Sequence, residues 1–271
     1  MSFLKKKYSL TTALADGLSK LTTGSKSARR AYAEPISDAE DEGVECPAGE
    51  DQMMYRREEK TKAKYPVRLD LGEIDASLKT PTLTFVGAGL RSETFMTVEF
   101  WIYTIGLYVE PARARDALRE FADSEAGSLH ENEAFCRALV GMKDVTKVLR
   151  FVITLPGLKA GIVVSQFDKV LLPKMKAKGK EDNYRFIMNN MGKAKFQKGT
   201  KMFLALAADG TVTCICDGEV LGSVVCHTLC ESIMDIYFGD APVSADVKEK
   251  ICSGLHATIQ QEDEEKEEGE A

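Results

Sequence analysis

The 271-residue sequence lacks the features that mark several large classes of protein. It has only three histidines and one tryptophan, and its formal net charge is −6, so the chain is not basic. No apolar run approaches the roughly 18 residues that a membrane-spanning helix needs. We therefore expect no nucleic-acid-binding surface, no polybasic membrane patch and no membrane span.

Motifs for phosphate binding and for hydrolysis are also missing. The sequence contains no GxxxxGK[ST] loop, no HExxH pair and no nucleophile elbow. Gly87 and Gly89 supply the first two glycines of a dinucleotide fingerprint, but Ser92 stands at the third position. The chain also continues there as a strand and not as a helix. The sequence therefore predicts no cofactor.

Seven cysteines are scattered along the chain without a Cys-x-x-Cys pair. Cys214 and Cys216 lie on a predicted strand, and Cys226 and Cys230 on a predicted helix, so the four together resemble the ligand set of a zinc site. Cysteine also fills small buried positions, and this habit favours a core role over a metal site. We expect no metal, and the cysteines do not require an oxidising compartment.

The two ends of the chain differ in charge from the middle. Residues 1–33 hold seven Lys/Arg, one acid and leucines at helical spacing. They predict a plastid or mitochondrial transit peptide or, in a cytoplasmic protein, a basic disordered arm. Residues 34–75 have few large aliphatic side chains and predict a disordered linker. Residues 259–271 predict an acidic disordered tail, because Glu262 to Glu270 contains seven acids and one lysine.

Residues 76–258 carry the regular patterns of a folded domain. Thr82–Phe95 and Val98–Val109 predict long strands, and both faces of the second are apolar, as in a central strand that is covered on both sides. Helices, a strand, more helices, a meander around Asp209-Gly210 and two final helices follow in that order. This order favours an α+β fold in which helices cover one face of a mostly antiparallel sheet.

An arginine and a tyrosine interrupt the two long apolar strands. If the chain reverses around Thr97, Arg91 and Tyr103 lie directly opposite each other on one face. A buried guanidinium needs an anionic or strongly accepting partner, and neither Glu93 nor Glu99 is obviously aimed at it. The pair therefore predicts a site for an acidic ligand. The alternative is an arginine whose head reaches water or a main-chain carbonyl beside an ordinary core tyrosine.

Two groups of motifs resemble the chalcone isomerase fold family. The first is GLR at residues 89–91 ahead of IGLYV at 105–109, and the second is DIYFGD at 235–240 followed by PVS at 242–244. The resemblance extends from about Thr80 to Leu255. It implies an open-faced antiparallel sheet that carries a layer of helices, with a cleft between sheet and helices.

The resembled family includes catalysts and non-catalytic binders. Its isomerases close a chalcone to a flavanone with an arginine at the position of Arg91 and a threonine at the position of Tyr103. A tyrosine, a lysine and an asparagine on a later helix complete their set, but these positions fall near Ile162, Ser165 and Lys169 here. The fatty-acid-binding members pair the arginine with a tyrosine, as this chain does.

Our leading hypothesis is a non-catalytic protein in which Arg91 and Tyr103 bind the carboxylate of a fatty acid or a similar amphipathic acid. One alternative is an intramolecular lyase of the chalcone isomerase type, in which Arg91 and Tyr103 are catalytic. A second alternative is a scaffold or adaptor without a ligand, which predicts a filled interior beside Arg91. The sequence does not identify a protein partner.

Overall fold

The chain is organised around a seven-stranded antiparallel sheet. The computed structural model describes residues 34–36, 55–78, 80–95 and 97–260. A separate two-stranded hairpin of β1 (Tyr55–Arg57) and β2 (Lys64–Pro66) comes first. The sheet then pairs its strands in sequence order: β3 (Arg68–Leu69), β4 (Leu83–Phe95), β5 (Val98–Val109), β6 (Lys147–Ile153), β7 (Lys201–Leu206), β8 (Thr211–Cys216) and β9 (Glu219–Val225).

Six α-helices occur in the described residues, and their buried side chains form one hydrophobic core with one face of the sheet. The predicted α+β fold, an antiparallel sheet with a layer of helices, is confirmed. None of these helices is long and apolar enough to cross a membrane. The helices are α1 (Pro111–Leu118), α2 (Glu133–Gly141), α3 (Ala160–Ala177), α4 (Glu181–Met191), α5 (His227–Phe238) and α6 (Ala245–Gln260).

Local sequence signals set several helix ends. Pro111 opens α1, where a missing N–H has no helical partner to lose. Asn132 Oδ1 accepts two main-chain N–H groups at the start of α2. Ser244 Oγ accepts the N–H of Val247 at 3.3 Å, so Ser244 caps the start of α6.

Helix α3 continues through Pro173. A proline lacks an N–H and is expected to bend or end a helix, yet α3 extends to Ala177. Pro173 lies on the exposed side, while Leu171 and Met175 beside it are fully buried. Because tertiary packing supplies most helical stability in proteins, the buried face keeps the last turn helical.

The hairpin of β4 and β5 has the register that places Arg91 opposite Tyr103. The chain reverses between Phe95 and Val98, which pair with each other, and the pairing shifts by one residue between Arg91 and Ser92. The extra residue is Ile102, a β-bulge that the sequence did not predict. The bulge directs Ile102 into the same core as its neighbour Tyr103.

A second core covers the opposite face of the sheet. It joins sheet residues such as Tyr108 and Phe203 to residues from the N-terminal part of the chain, among them Ile36, Tyr65 and Leu71. The Tyr65 hydroxyl and the Thr104 hydroxyl are hydrogen-bonded at 2.6 Å. The expectation that β5 is covered on both faces is therefore confirmed.

The N-terminal cover differs from the predicted linker. Within residues 34–75, the structure places 55–57, 64–66 and 68–69 in strands, and the core-filling side chains of Tyr65 and Leu71 are completely buried. The few apolar residues of this segment are enough because the sheet itself supplies the rest of the core. At the other end, Ile259 and Gln260 belong to α6 and not to the predicted tail.

Several predicted segments lie outside the described residues. These are the transit peptide or basic arm at 1–33, most of the first half of the linker at 37–54, and the acidic tail from 261 to 271.

Candidate functional site

Arg91 and Tyr103 line a cleft between the sheet and the helices, as the sequence hypothesis requires. The cleft has a free volume of about 40 Å³, which is room for a few water molecules. Its walls are mostly apolar and include Ile102 from β5, Ile162, Phe167 and Val170 from α3, and Ile236 from α5. The interior is narrow, so a long acyl chain would have to part these side chains.

Arg91 is largely buried, with 12% of its side chain exposed. Its Nη1 donates to the main-chain carbonyl of Ser92 at 3.1 Å, and its Nη2 donates to Glu93 Oε1 at 2.5 Å. Its Nε is buried without a hydrogen-bond partner in the described part of the chain. One guanidinium donor beside the cleft is therefore still available to a ligand.

The expectation that no nearby acid is aimed at Arg91 is wrong for Glu93. The two residues are two apart on β4, and side chains at i and i+2 of a strand point to the same face. Glu99 behaves as expected, since it lies 3.9 Å from Lys60 Nζ and is much more exposed. The Arg91–Glu93 ion pair means that the head of the cleft is electrically neutral before a ligand enters.

Two tyrosines flank the guanidinium. Burial raises the pKa of Tyr103, and the nearby Arg91 guanidinium offsets part of this rise. Burial also raises the pKa of Tyr237 well above its usual value, and the proximity of Tyr103 adds to this. The Tyr237 hydroxyl lies close enough to Tyr103 to influence that pKa, but within the described residues it makes no hydrogen bond of good geometry. Both phenols are thus neutral donors at physiological pH.

Sequence reasoning missed Tyr237 as a site residue, although the residue lies in the DIYFGD motif. Tyr237 is on α5 with no exposed surface, and its ring packs edge-on against Phe151 at 6.1 Å. Helical spacing shows that this position is buried, but it does not show that the buried face borders a cleft.

The α3 wall carries one polar group toward the cleft. Gln166 is among the lining residues, and its buried Nε2 has no acceptor in the described part of the chain. Its Oε1 accepts from Lys169 Nζ at 3.3 Å. Ile162 lines the cleft, while Lys169 is exposed. Of the three helix positions that are polar in the isomerases, Ile162 is therefore apolar here, Lys169 is turned outward, and the half-buried Ser165 is not among the lining residues.

Helix α6 anchors the strand that carries Arg91. Leu90 donates its N–H to Asp246 Oδ2 at 2.6 Å, and its carbonyl accepts from Ser244 Oγ at 2.9 Å. Gly89 allows this close approach, because a Cβ there would lie 2.5 Å from the Val247 Cα. The main chain next to Arg91 is consequently bonded to α6 from both of its polar groups.

The four cysteines of the zinc alternative are buried core residues. Cys214 and Cys216 lie on β8, Cys230 is within α5, and Cys226 immediately precedes it. Over the described residues, no group of three or more His, Cys, Asp and Glu side chains is arranged to hold a metal ion. The prediction that these cysteines fill core positions is confirmed by their burial.

The chain is similar to known proteins both in sequence and in fold. The profile of a family described as chalcone isomerase-like matches residues 73–252. Fatty-acid-binding protein 2 of Arabidopsis thaliana is 26% identical over 173 residues, which is 61% of this chain and 43% of that protein. Fatty-acid-binding protein 1 of the same plant is 24% identical over 170 residues, 60% of this chain and 61% of that protein.

The matched share of each relative differs. The chain spans less than two thirds of the length of either plant relative. The crystal structure of the Arabidopsis thaliana fatty-acid-binding protein AtFAP1 matches with a TM-score of 0.62 at 20% identity, over 77% of this chain and 100% of that chain. That likeness establishes the fold. The names of these relatives describe binding and none describes catalysis.

Proposed function

The chain belongs to the chalcone isomerase-like family, and from this premise we propose that it binds a fatty acid or a similar amphipathic acid in the cleft beside Arg91. The acid's head group contacts Arg91 and Tyr103, and its tail lies among the side chains of α3 and α5. The fatty-acid-binding names of the plant relatives support this choice of ligand.

One observation carries the proposal: Arg91 lines a mostly apolar cleft, and its buried Nε has no hydrogen-bond partner among the described residues. Charge-assisted hydrogen bonds from a guanidinium to a carboxylate are among the strong ones, and a tyrosine hydroxyl adds a further donor. Neither residue needs a tuned pKa for this role. The cleft also counts against the scaffold alternative, which expects a filled interior beside Arg91.

The tail supplies the affinity. Burying about fourteen methylenes at roughly 0.8 kcal/mol each contributes about 11 kcal/mol. Association itself costs roughly 4–15 kcal/mol. At the lower end of that cost the net gain is about 7 kcal/mol, so a Kd of roughly 10 μM is within reach before the head-group bonds are added, if the α3 side chains part to admit the chain.

The experiment has two steps. The full chain is first expressed and its co-purified lipid identified by mass spectrometry; an acyl chain with a carboxyl head is the expected result. The delipidated protein is then titrated with a long-chain fatty acid and compared with Arg91→Ala. We expect Arg91→Ala to weaken binding by at least tenfold, since it removes the charged donor.

Arg113→Ala is the matched control, because Arg113 is an exposed arginine on α1 that pairs with Glu110 at 2.9 Å, away from the cleft. Its affinity should equal that of the wild type. Absence of any bound acyl chain, or an unchanged affinity in Arg91→Ala, contradicts the proposal.

A further inference from the structure

The guanidinium that would bind the acid is already occupied on one side. Glu93 Oε1 lies 2.5 Å from Arg91 Nη2, and 25% of the Glu93 side chain is exposed. The positive charge of Arg91 and the negative charge of Glu93 therefore cancel next to the cleft. Its Nε, on the same planar fork, has no hydrogen-bond partner among the described residues and is the donor that we assign to the ligand.

An ionised ligand would place a second carboxylate on that fork. Two carboxylates that share one guanidinium lie only a few ångströms apart, and like charges in a partly buried site repel strongly. Such a pair relieves the repulsion by holding one proton between its members more tightly than either holds it alone. A head group that stays ionised cannot share a proton with Glu93, so the repulsion between the two negative charges persists.

Building on the proposed function, we propose that Glu93 determines the specificity of the cleft by selecting head groups that can share a proton. The fatty acid enters with one proton that its carboxyl shares with Glu93, so the bound set of Arg91, Glu93, ligand and proton has no net charge. Head groups that stay ionised at every physiological pH, such as an alkyl sulfonate, are rejected.

Other ionisable groups around the pair do not supply this proton. The cleft-lining residues with ionisable side chains are Arg91, Tyr103 and Tyr237, and burial keeps both phenols protonated. The α3 wall contributes no ionisable group to the lining. On α6, Asp246 already accepts from Leu90 and lies 3.3 Å from Lys250.

The affinity for the fatty acid should fall as the pH rises. Above a pH of about 5, a free fatty acid in water is ionised, since an aliphatic carboxyl has a pKa of about 4.3. The complex then contains one proton more than the separated partners, so affinity falls as the pH rises. We expect a decrease of up to about tenfold per pH unit between about pH 5.5 and 7.5.

The test compares three full-length proteins: wild type, Glu93→Gln and Glu99→Gln. Glu99→Gln is the matched control, because it removes an acid of the same hairpin that lies near Lys60 and is not paired with Arg91. Each is titrated with a carboxylic acid and with an alkyl sulfonate of equal chain length. Calorimetry in buffers of different ionisation enthalpy measures the protons taken up on binding.

The wild type and Glu99→Gln should take up about one proton with the carboxylic acid and bind the sulfonate at least tenfold more weakly. Glu93→Gln should bind both ligands, bind the sulfonate at least tenfold more tightly than the wild type does, and take up no proton. If Glu93→Gln fails to fold, the wild-type proton uptake and the wild-type preference between the two heads decide the question.

Wild-type protein that binds both heads equally without proton uptake overturns the role of Glu93 and leaves the proposed function intact. If neither ligand binds to any of the three proteins, the proposed function itself fails, and this inference fails with it.

Discussion

Two buried arginines on opposite faces of the same sheet have different surroundings. Arg150 on β6 is 5% exposed, its Nη1 donates to the Lys64 carbonyl at 2.5 Å, and its guanidinium carbon lies 4.9 Å from the centre of the Tyr65 ring. The Phe203 ring is 5.8 Å away. Arg91 instead has an acid, a carbonyl and one unpartnered nitrogen beside a cleft.

The comparison shows that a buried arginine does not by itself imply a ligand. The N-terminal segment supplies the Tyr65 ring and the carbonyl that cover Arg150, and β7 supplies the Phe203 ring, so that side of the sheet is closed by the chain itself. The strand pattern of Lys147–Ile153 would have prompted the same argument for Arg150 as the one made for Arg91. The cleft and the unpartnered Nε are what separate the two.

The largest expected effect comes from Arg150→Ala, and it is on folding. The change removes two cation–π contacts and a carbonyl hydrogen bond and leaves a cavity, so the free energy of unfolding should fall by about 2–4 kcal/mol. Arg91→Ala, which breaks a partly exposed ion pair, should lower it by about 1 kcal/mol or less. Urea unfolding measures both values.

The loss of fatty-acid affinity should rank the two arginine variants in the order opposite to their loss of stability, when both are measured at a temperature where they are folded. Arg91→Ala should lose affinity and Arg150→Ala should retain it. Equal losses of affinity in the two variants would break the distinction between the faces.

An effect of intermediate size on the free energy of unfolding is expected at alkaline pH, and it comes from tyrosines on both faces of the sheet. Burial raises the pKa of Tyr108 in the N-terminal core, and it raises the pKa of Tyr103 and Tyr237 at the cleft. The unfolded chain releases these protons near pH 10, while the folded chain holds them. The part of the stability that these tyrosines contribute should therefore be constant below about pH 10 and fall above it, by up to about 1.4 kcal/mol per pH unit for each tyrosine.

Urea unfolding at a series of pH values tests this, with Tyr108→Phe as the comparison. That variant should show a shallower decline than the wild type, because one of the responsible phenols is gone. Tyrosinate absorbance that appears with an ordinary midpoint in the still-folded wild type, for all of its tyrosines, would contradict the prediction.

The smallest expected effect is a difference in fatty-acid affinity between variants that lack one or the other of two buried tyrosine hydroxyls. Tyr108 and Tyr237 are both without exposed surface, and neither hydroxyl has a hydrogen-bond partner in the described part of the chain. Only Tyr237 lines the cleft. Tyr237→Phe should weaken fatty-acid binding by about three- to tenfold, the size of one lost hydrogen bond, and Tyr108→Phe should leave it unchanged.

Both phenylalanine variants keep the ring packing, so their free energies of unfolding should differ from that of the wild type by about 1 kcal/mol or less. Isothermal titration and urea unfolding measure the two quantities. An equal loss of affinity in both would mean that Tyr237 acts through the fold and not through the ligand.

Strand periodicity explains what could be predicted of the site. The alternation of side chains placed Arg91 and Tyr103 on one face, and it places Glu93 there as well. The sequence therefore contained the signal for the ion pair. The bulge at Ile102 changes the register by one residue through local backbone geometry, and no residue type in that apolar run announces it.

The N-terminal cover could not be predicted from its own composition. Tyr65 packs against Gly106 so closely that a Cβ at Gly106 would lie 2.5 Å from the ring. The small residue that makes room for Tyr65 is thus on another strand, 41 positions along the chain. Composition within residues 34–75 shows few apolar side chains, but it does not show that the sheet has a matching surface for them.

The anchoring of Leu90 by α6 has a consequence for which acids the cleft admits. The main-chain N–H and carbonyl of Leu90 are hydrogen-bonded to Asp246 and Ser244. The backbone beside Arg91 is therefore held in place and cannot move to fit a ligand whose head group is poorly positioned. The opposite wall consists largely of aliphatic side chains that can rotate. Head-group chemistry should therefore be discriminated sharply, whereas acyl chains of neighbouring lengths should be accepted with gradual changes in affinity.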